Sequence, residues 1–402
     1  MLQYNDDFRN IIGVYMQTLL EITIILIASL MATLLANRLA IPAVVGQLCV
    51  GILIGPSLLN LVHEGHVMHF LAEIGVILLM FLAGLEANLE LLRKYFKPSL
   101  VVAISGVVIP MVTFYYVGIT LGFPINTAVF YGLVFAATSV SITVEVLQEY
   151  QKVRTKIGAV ILGAAVADDV LAVLLLSFFM SSAGASSHLV MQVGLQILFL
   201  VFLVFSVKLL VPKLYDWSQH IPYFERETFL ALLICLTWSL LAWSVGMSSV
   251  IGAFFAGLAV GQTSKADIVE HNILVIAYSI FIPIFFASIA LPLQLNGVFS
   301  HLGLVLALTL LAIVTKLLPS YLVGRGFAFS RQESLSIGAG MVSRGEMALI
   351  IIQIGLAEKL ITHQTYSTLV VVVVLTTMIA PFILKFSFKE HLEQYPNVNK
   401  SL

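Results

Sequence analysis

Length, composition and charge exclude a soluble protein before any motif is considered. Of the 402 residues, 60% are hydrophobic and 10% are charged, and the mean hydropathy is +1.05; soluble domains carry about 25% charged residues. The net charge of −1 argues against a nucleic-acid partner. We therefore expect an all-α polytopic protein whose main partner is the lipid bilayer.

Taken in chain order, the apolar segments predict about thirteen transmembrane helices. Most segments reach the ~20 residues that a spanning helix needs. Their predicted bounds are 18–37, 41–60, 68–88, 98–122, 125–149, 156–180, 189–211, 228–245, 247–263, 268–292, 298–323, 333–356 and 364–386.

The basic residues of the connections predict the orientation of these segments. With the N-terminus outside, the connections after segments one, three, five, seven, nine and eleven and the C-terminal tail collect 16 of the 20 Lys and Arg residues, and the opposite side holds Arg9 and Lys359. Basic residues favour the cytoplasmic side. We expect a multi-pass protein of the plasma membrane with its N-terminus outside and its C-terminus in the cytoplasm.

An internal repeat relates the two halves of the chain. The spacing Gly46-x4-Gly51-x3-Gly55 recurs as Gly252-x4-Gly257-x3-Gly261, an offset of 206 positions. The same offset carries the stretch 132–139 onto 338–345. This pattern predicts six helices, one linker helix and six further helices in inverted orientation. The alternative is that glycines recur independently on small-residue helix faces.

Matching polar interruptions occur in the fifth and twelfth segments. They are Thr138-Ser139 and Ser343-Arg344-Gly345. Paired interruptions of this kind predict two discontinuous helices that cross near the middle of the membrane. Arg344 would then compensate two helix C-terminal ends and Glu346 two N-terminal ends. The alternative is two intact helices with a local pair between these two side chains.

Two adjacent carboxylates, Asp168 and Asp169, lie midway along the sixth segment. Each ionised carboxylate at the bilayer centre costs roughly 2.5–3.5 kcal/mol unless it is paired or hydrated. With Lys316, Arg344 and Glu346, the predicted membrane interior holds three acids and two bases. The unmatched acid is suited to binding either a proton or a monovalent cation. The alternative is a buried ion-pair network without a transport role.

Neighbouring side chains of a helix point roughly 100° apart, so the two aspartates can have different roles. One would pair with Lys316 and the other would face a cavity, and the spacing does not decide which. Glu145 and Glu149, at the end of the fifth segment near Lys152, are interpreted as members of interfacial ion pairs.

Several motifs carry a resemblance to a known family. They are Leu58-Leu-Asn-Leu-Val-His-Glu-Gly65, Phe70-Leu-Ala-Glu73, Phe81-Leu-Ala-Gly-Leu-Glu86, Ala137-Thr-Ser-Val140, Ile161-Leu-Gly-Ala-Ala-Val-Ala-Asp-Asp-Val170, Pro283-Ile-Phe-Phe-Ala287 and Arg344-Gly-Glu346. Over residues 18 to 386 the chain resembles bacterial sodium/proton antiporters of the NapA type. These belong to the second cation:proton antiporter family of the monovalent cation:proton antiporter superfamily.

The resemblance implies an NhaA-like fold and a homodimer that works by an elevator-type movement. The implied domains are an N-terminal extension outside (1–17), a scaffold and dimerisation domain (18–90 and 224–295), a core ion-transport domain (91–186 and 297–388), a linker helix and cytoplasmic loop (187–223) and a cytoplasmic tail (389–402).

The resemblance also implies roles for individual residues. Asp169 would bind the cation or the proton, and Asp168 would pair with Lys316. Thr138 lies beside the site, and its neighbour Ser139 is included among the binding residues. Sodium would be held transiently by Asp169, Asp168 and Thr138.

Arg344 and Glu346, together with Lys316, would compensate charge. We expect no enzymatic activity and no cofactor. The transported ions are expected to be sodium, lithium in some cases, and protons.

The predicted function is electrogenic sodium/proton exchange. Potassium/proton or mixed exchange is the alternative within antiporters, and a sodium-coupled organic-anion symporter is the alternative from another class. Two departures from the family pattern stand out. Ser343 replaces a proline that relatives tend to have before the arginine, and Ala290, followed by Pro292, replaces an expected glycine.

Overall fold

The computed structural model describes residues 2–63, 65–182, 189–218, 225–293 and 302–388, and these residues form helices joined by short connections. The helices are α1 (Leu2–Arg38), α2 (Ala43–Ile54), α3 (His66–Glu86), α4 (Leu89–Lys94), α5 (Phe96–Thr120), α6 (Ile125–Ala136), α7 (Val140–Glu149), α8 (Lys156–Ser182), α9 (Leu189–Phe205), α10 (Val211–Ser218), α11 (Arg226–Ser244), α12 (Ser249–Val260), α13 (Ala266–Ile276), α14 (Ile282–Ala290), α15 (Leu302–Gly326), α16 (Arg331–Gly340), α17 (Glu346–Ala357) and α18 (His363–Ser387). Single π-helical turns, Ser206–Leu210 and Ala277–Phe281, join α9 to α10 and α13 to α14.

Within the described residues, ten helical stretches are long and apolar enough to cross a membrane. Three shorter apolar helices accompany them: α2, α12 and most of α17. The chain is therefore an all-helical, multi-span membrane protein. The 12 residues of α2 and of α12 rise by about 18 Å, less than the ~30 Å of a hydrocarbon core.

The observed bounds differ from the predicted ones at three places. The first helix begins at Leu2, within the stretch that was predicted to be a separate extension. The second segment is helical only to Ile54, and an irregular stretch follows it. The seventh segment continues to Ser218, because a π-helical turn carries the helix past residue 211.

Helix bounds in the two halves match at the offset that the glycines indicated. Both ends of α5 (96 and 120) lie 206 positions before the ends of α15 (302 and 326). The same holds for α2 (43 and 54) and α12 (249 and 260). The lengths and bounds of these helices therefore recur together with the glycines.

Glycines bring the backbones of one group of helices into close contact. A Cβ atom at Gly257 of α12 would lie 2.9 Å from the Leu85 nitrogen of α3, and one at Gly75 would lie 2.8 Å from the Phe285 Cβ of α14. Gly51 of α2 packs on the backbone of α14 in the same way. We call these helices, α1–α3 and α11–α14, the scaffold group.

A second group of helices is packed by its own glycines. A Cβ atom at Gly118 of α5 would lie 2.8 Å from the Ala128 Cα of α6, and one at Gly340 of α16 would lie 2.6 Å from Ile161 of α8. Gly338 of α16 packs on α15. We call these helices, α5–α8 and α15–α18, the core group. Among the described residues, every helical glycine that lies this close to another helix contacts a helix of its own group.

Candidate ion site at the helix crossing

Both predicted helix breaks are present in the structure. The first separates α6 from α7, where Ala137 and Ser139 are extended with ψ angles of 140° and 118°. The second separates α16, which ends at Gly340, from α17. The backbone N–H of Ser139 donates to the carbonyl of Ser343 over 2.8 Å. The two broken helices thus cross at their interruptions, and the alternative of two intact helices is wrong.

Lys316 of α15 reaches the first break from the side. Its Nζ donates to the Ala136 carbonyl over 2.7 Å and to the Thr138 hydroxyl. The same Nζ lies 3.4 Å from both carboxylate oxygens of Asp168. Charge-assisted bonds are usually about 2.7–2.9 Å long, so the ammonium is held more closely by the helix end than by the acid. The predicted contact between Lys316 and Asp168 is present. The ammonium also donates to the C-terminal end of α6, a contact that the sequence did not indicate.

The Thr138 hydroxyl bridges the Lys316 ammonium and the Asp168 carboxylate. It accepts from Lys316 and makes a side-chain hydrogen bond with Asp168. Because one hydroxyl has a single proton and two lone pairs, it can accept from the ammonium while it donates to the carboxylate. Thr138, Lys316 and Asp168 are all buried. This triad fixes the position of the break relative to α8.

Arg344 compensates the same helix end from the other side. Its guanidinium donates to the carbonyls of Phe135 and Ala137, the latter over 3.0 Å, and to the Ala312 carbonyl of α15 over 3.1 Å. The guanidinium also lies 5.2 Å from the centre of the Phe135 ring. The negative end of the α6 dipole therefore has two cations, Lys316 and Arg344, beside it.

The prediction that Arg344 serves both helix C-terminal ends is correct for α6 only. At the end of α16, the Gly340 carbonyl accepts a hydrogen bond of 2.7 Å from the Thr143 hydroxyl of α7. The Thr143 hydroxyl thus occupies the position predicted for the Arg344 guanidinium, which is directed at α6 and α15 instead. The Glu346 side chain, predicted to serve the N-terminal ends, lies outside the part of the chain that the structure describes.

Asp169 is buried, with 4% of its surface exposed, whereas Asp168 is fully buried. Asp169 lies near enough to Lys316 for the two charges to attract. It has an interaction partner in the structure, and so has Ser139. The structure therefore brings together Asp168, Asp169, Thr138 and Lys316, and Ser139 lies at the crossing itself.

Two residues that the sequence analysis did not single out, Thr143 and Thr377, contribute contacts at the crossing, together with Ser343 of the predicted second interruption. Thr143 caps α16, and the Thr377 hydroxyl of α18 donates to the Arg344 carbonyl. The Ser343 hydroxyl donates to the Ser139 carbonyl over 2.7 Å. Buried hydroxyls beside a helix break are a usable signal, since a break exposes backbone groups that need partners.

The interpretation of Glu145 as a member of an interfacial ion pair is wrong. Glu145 is buried, and its carboxylate accepts from the Tyr278 hydroxyl over 2.8 Å. The Glu149 carboxylate accepts from the backbone N–H of Ala43 over 3.1 Å, at the start of α2. Both contacts join α7 of the core group to helices of the scaffold group.

Comparison with known proteins agrees with this arrangement. The family model described as "Sodium/hydrogen exchanger, transmembrane" matches residues 25–390. The chain belongs to the sodium/hydrogen exchanger family. It is 45% identical to the Na(+)/H(+) antiporter of Enterococcus hirae, over 91% of this chain and 97% of that protein. It is 40% identical to the Na(+)/H(+)-K(+) antiporter GerN of Bacillus cereus, over 92% and 95% respectively.

Solved structures of the family share the fold. The sodium proton antiporter MjNhaP1 of Methanocaldococcus jannaschii at pH 8 matches with a TM-score of 0.67 at 17% sequence identity. The match covers 93% of this chain and 97% of that one. At this identity the likeness shows the fold alone. The family is one of transmembrane transporters, which agrees with the ten candidate membrane spans of the described residues.

Proposed function

We propose that this sodium/hydrogen exchanger exchanges sodium for protons across the cell membrane by alternating access. The observation that carries the proposal is a pair of buried aspartates beside a lysine at the crossing of two broken helices. Such a site holds titratable oxygens next to fixed positive charge, so a proton and a hard cation compete for it.

The contacts support different roles for the two aspartates. Asp168 is held by Lys316 and Thr138, and we propose that Asp169, the more exposed of the two, binds either sodium or a proton. Sodium would take oxygens from Asp169, Asp168 and Thr138, with Ser139 adjacent. The bound ion is cargo, and the proposal needs no cofactor.

The two packing groups support a division into a fixed scaffold and a mobile core. Glycine contacts tie helices together within each group. Among the described residues, polar contacts between the two groups and their adjoining connections include Glu145–Tyr278, Gln148–Tyr278, Gln148–Glu86, Glu149–Ala43, Arg154–Glu270 and Lys385–Ala40. All of these lie on the side of the membrane that carries the loop 151–155. We propose that the structure is closed on this side and that the core moves when these contacts break.

The proposal includes the finer features of the architecture. We take the three shorter apolar helices to complete thirteen membrane segments, arranged as inverted six-helix repeats with an NhaA-like fold. The 206-position match of helix bounds supports the repeat. The loop 151–155 would face the cytoplasm together with the C-terminus, and two copies would associate through the scaffold group.

Potassium is the second candidate cation. GerN of Bacillus cereus is named as an antiporter of potassium as well as sodium, and carboxylate oxygens alone discriminate poorly between the two ions. The exchange is expected to be electrogenic, because Asp169 together with Lys316 offers more than one titratable group per cation.

The test is proton flux in proteoliposomes that contain the purified protein. A pH-sensitive dye would report the response to sodium, lithium and potassium pulses between pH 6.5 and 9. Sodium-dependent flux that responds to a potassium/valinomycin potential would support electrogenic sodium/proton exchange. Flux with organic anions and without proton movement would favour a symporter, and no response to any cation would contradict antiport.

A further inference from the structure

The crossing of the two broken helices is held by side chains as well as by backbone. Ser139 and Ser343 exchange two hydrogen bonds: the Ser139 N–H donates to the Ser343 carbonyl over 2.8 Å, and the Ser343 hydroxyl donates to the Ser139 carbonyl over 2.7 Å. Thr143, one helical turn after Ser139, donates to the Gly340 carbonyl over 2.7 Å. These side chains are all buried.

Counting protons shows what each hydroxyl does. The Thr143 and Ser343 hydroxyl oxygens are 3.0 Å apart, but the two groups have only one proton each. The two shorter contacts, to Gly340 and Ser139, use both protons. Each hydroxyl therefore satisfies one buried carbonyl at a helix break, and replacing either by an apolar group leaves that carbonyl without its side-chain donor.

The satisfied carbonyls belong to opposite breaks. Thr143 is on α7 and holds the end of α16, whereas Ser343 follows α16 and holds the start of α7. The two hydrogen bonds therefore prevent one half-helix from sliding along the other. Because Thr138 precedes Ser139 directly, this register sets the distance between the Thr138 hydroxyl and the two aspartates of α8.

We propose that Thr143 and Ser343 are positioning residues of the ion site. They fix the register of the crossing, and through Ser139 they fix Thr138 relative to Asp168 and Asp169. This inference rests on the proposed cation exchange at that site.

The experiment compares Thr143→Val with Thr143→Ser in proteoliposomes. Valine keeps the shape and β-branching of threonine but lacks the hydroxyl. We expect the KM for sodium to rise roughly tenfold, as expected for a lost hydrogen bond to a buried group, while kcat changes less than twofold. Serine restores the donor, and the KM should return to within about twofold of wild type. Ser343→Ala should raise the KM in the same direction.

Thr309→Val is the matched control. Thr309 is a buried threonine of α15 whose hydroxyl donates to Val305 of its own helix over 2.8 Å, and within the described part of the chain it has no other hydrogen-bond partner. The control should keep the wild-type KM. A wild-type KM in both Thr143→Val and Ser343→Ala, or an equal rise in the control, would overturn the positioning role.

Two further outcomes are distinguishable. If Thr143→Val fails to fold, the KM of Ser343→Ala decides the question, since that variant retains the backbone hydrogen bond at the crossing. If the wild-type protein itself exchanges no monovalent cation, the proposed function fails, whatever the variants show.

Discussion

The scaffold group and the core group are both packed through glycines, but the core group also contains two interrupted helices. In the scaffold, glycines bring intact backbones together, as Gly257 does between α12 and α3. In the core, the two central helices are interrupted, and charged or hydroxyl side chains satisfy the freed carbonyls, as Lys316 and Thr143 do. Steric packing resists deformation, whereas a polar break can expose and bind an ion. The comparison therefore contrasts helices whose packing resists deformation with helices whose polar breaks form the proposed ion site.

The largest effect is expected from the carboxylate that the core is proposed to use for binding. Asp169→Asn keeps the size of the side chain but removes its charge, so the variant resembles a permanently protonated carrier. It should insert and fold, because removing a buried charge in lipid costs little. Sodium-dependent proton flux should be absent at every pH between 6.5 and 9.

Asp168→Asn is the comparison variant and should be milder, since that acid is held by Lys316. Robust flux from the Asp169 variant would contradict the assignment. Loss of flux in the Asp168 variant alone would exchange the two roles.

The next largest effect concerns the cation at the α6 end. Lys316→Ala removes the partner of Asp168 and the donor to the Ala136 carbonyl. Breaking a buried pair costs about 3–5 kcal/mol, and we expect a clear loss of thermal stability in detergent. The double variant Lys316→Ala/Asp168→Asn should recover part of that loss, because it no longer buries an unpaired charge. Additive losses in the double variant would show that the two side chains are not coupled.

A substitution with an intermediate expected effect tests the glycine packing of the scaffold group. Gly257→Val would place a side chain within 2.9 Å of the α3 backbone. Overpacking of this kind costs about 1–3 kcal/mol, and neither backbone can move without shifting a whole helix. Thermal unfolding should occur at lower temperature, while the remaining folded protein keeps its KM for sodium. Gly194→Ala of α9 is the control, because the added Cβ atom would meet no atom of another helix within 4 Å among the described residues, and it should not lower the unfolding temperature.

The smallest effect is expected where the two groups meet. Tyr278→Phe removes the hydroxyl that bonds to Glu145 across the boundary. One hydrogen bond contributes about 0.5–1.5 kcal/mol, so the turnover rate should rise by roughly two- to tenfold if breaking this contact limits the movement. The KM should not change. Tyr321→Phe is the control, because no hydrogen bond of that hydroxyl is found within the described residues; equal rates in all three proteins would exclude the contact as a barrier.

Hydropathy, glycine spacing and charge were sufficient to predict most of the helices, both breaks and an aspartate partner for Lys316. That this partner is Asp168 was implied by the family resemblance and is seen in the structure. The predicted features are local or periodic. An apolar run of about 20 residues must be helical in lipid, and an isolated lysine in such a run needs an acid nearby. The order of the segments and the 206-position offset follow from the same local patterns.

Only the tertiary structure decided which partner each polar group takes. Arg344 was predicted to serve two helix ends, but it bonds to α6 and α15, and Thr143 serves the other end. Glu145 was predicted to pair with a base and bonds to Tyr278 instead. Spacing along a helix shows that a backbone or side-chain group needs a partner. The choice of partner depends on which helices meet at that depth, and this is a property of the packing between distant parts of the chain.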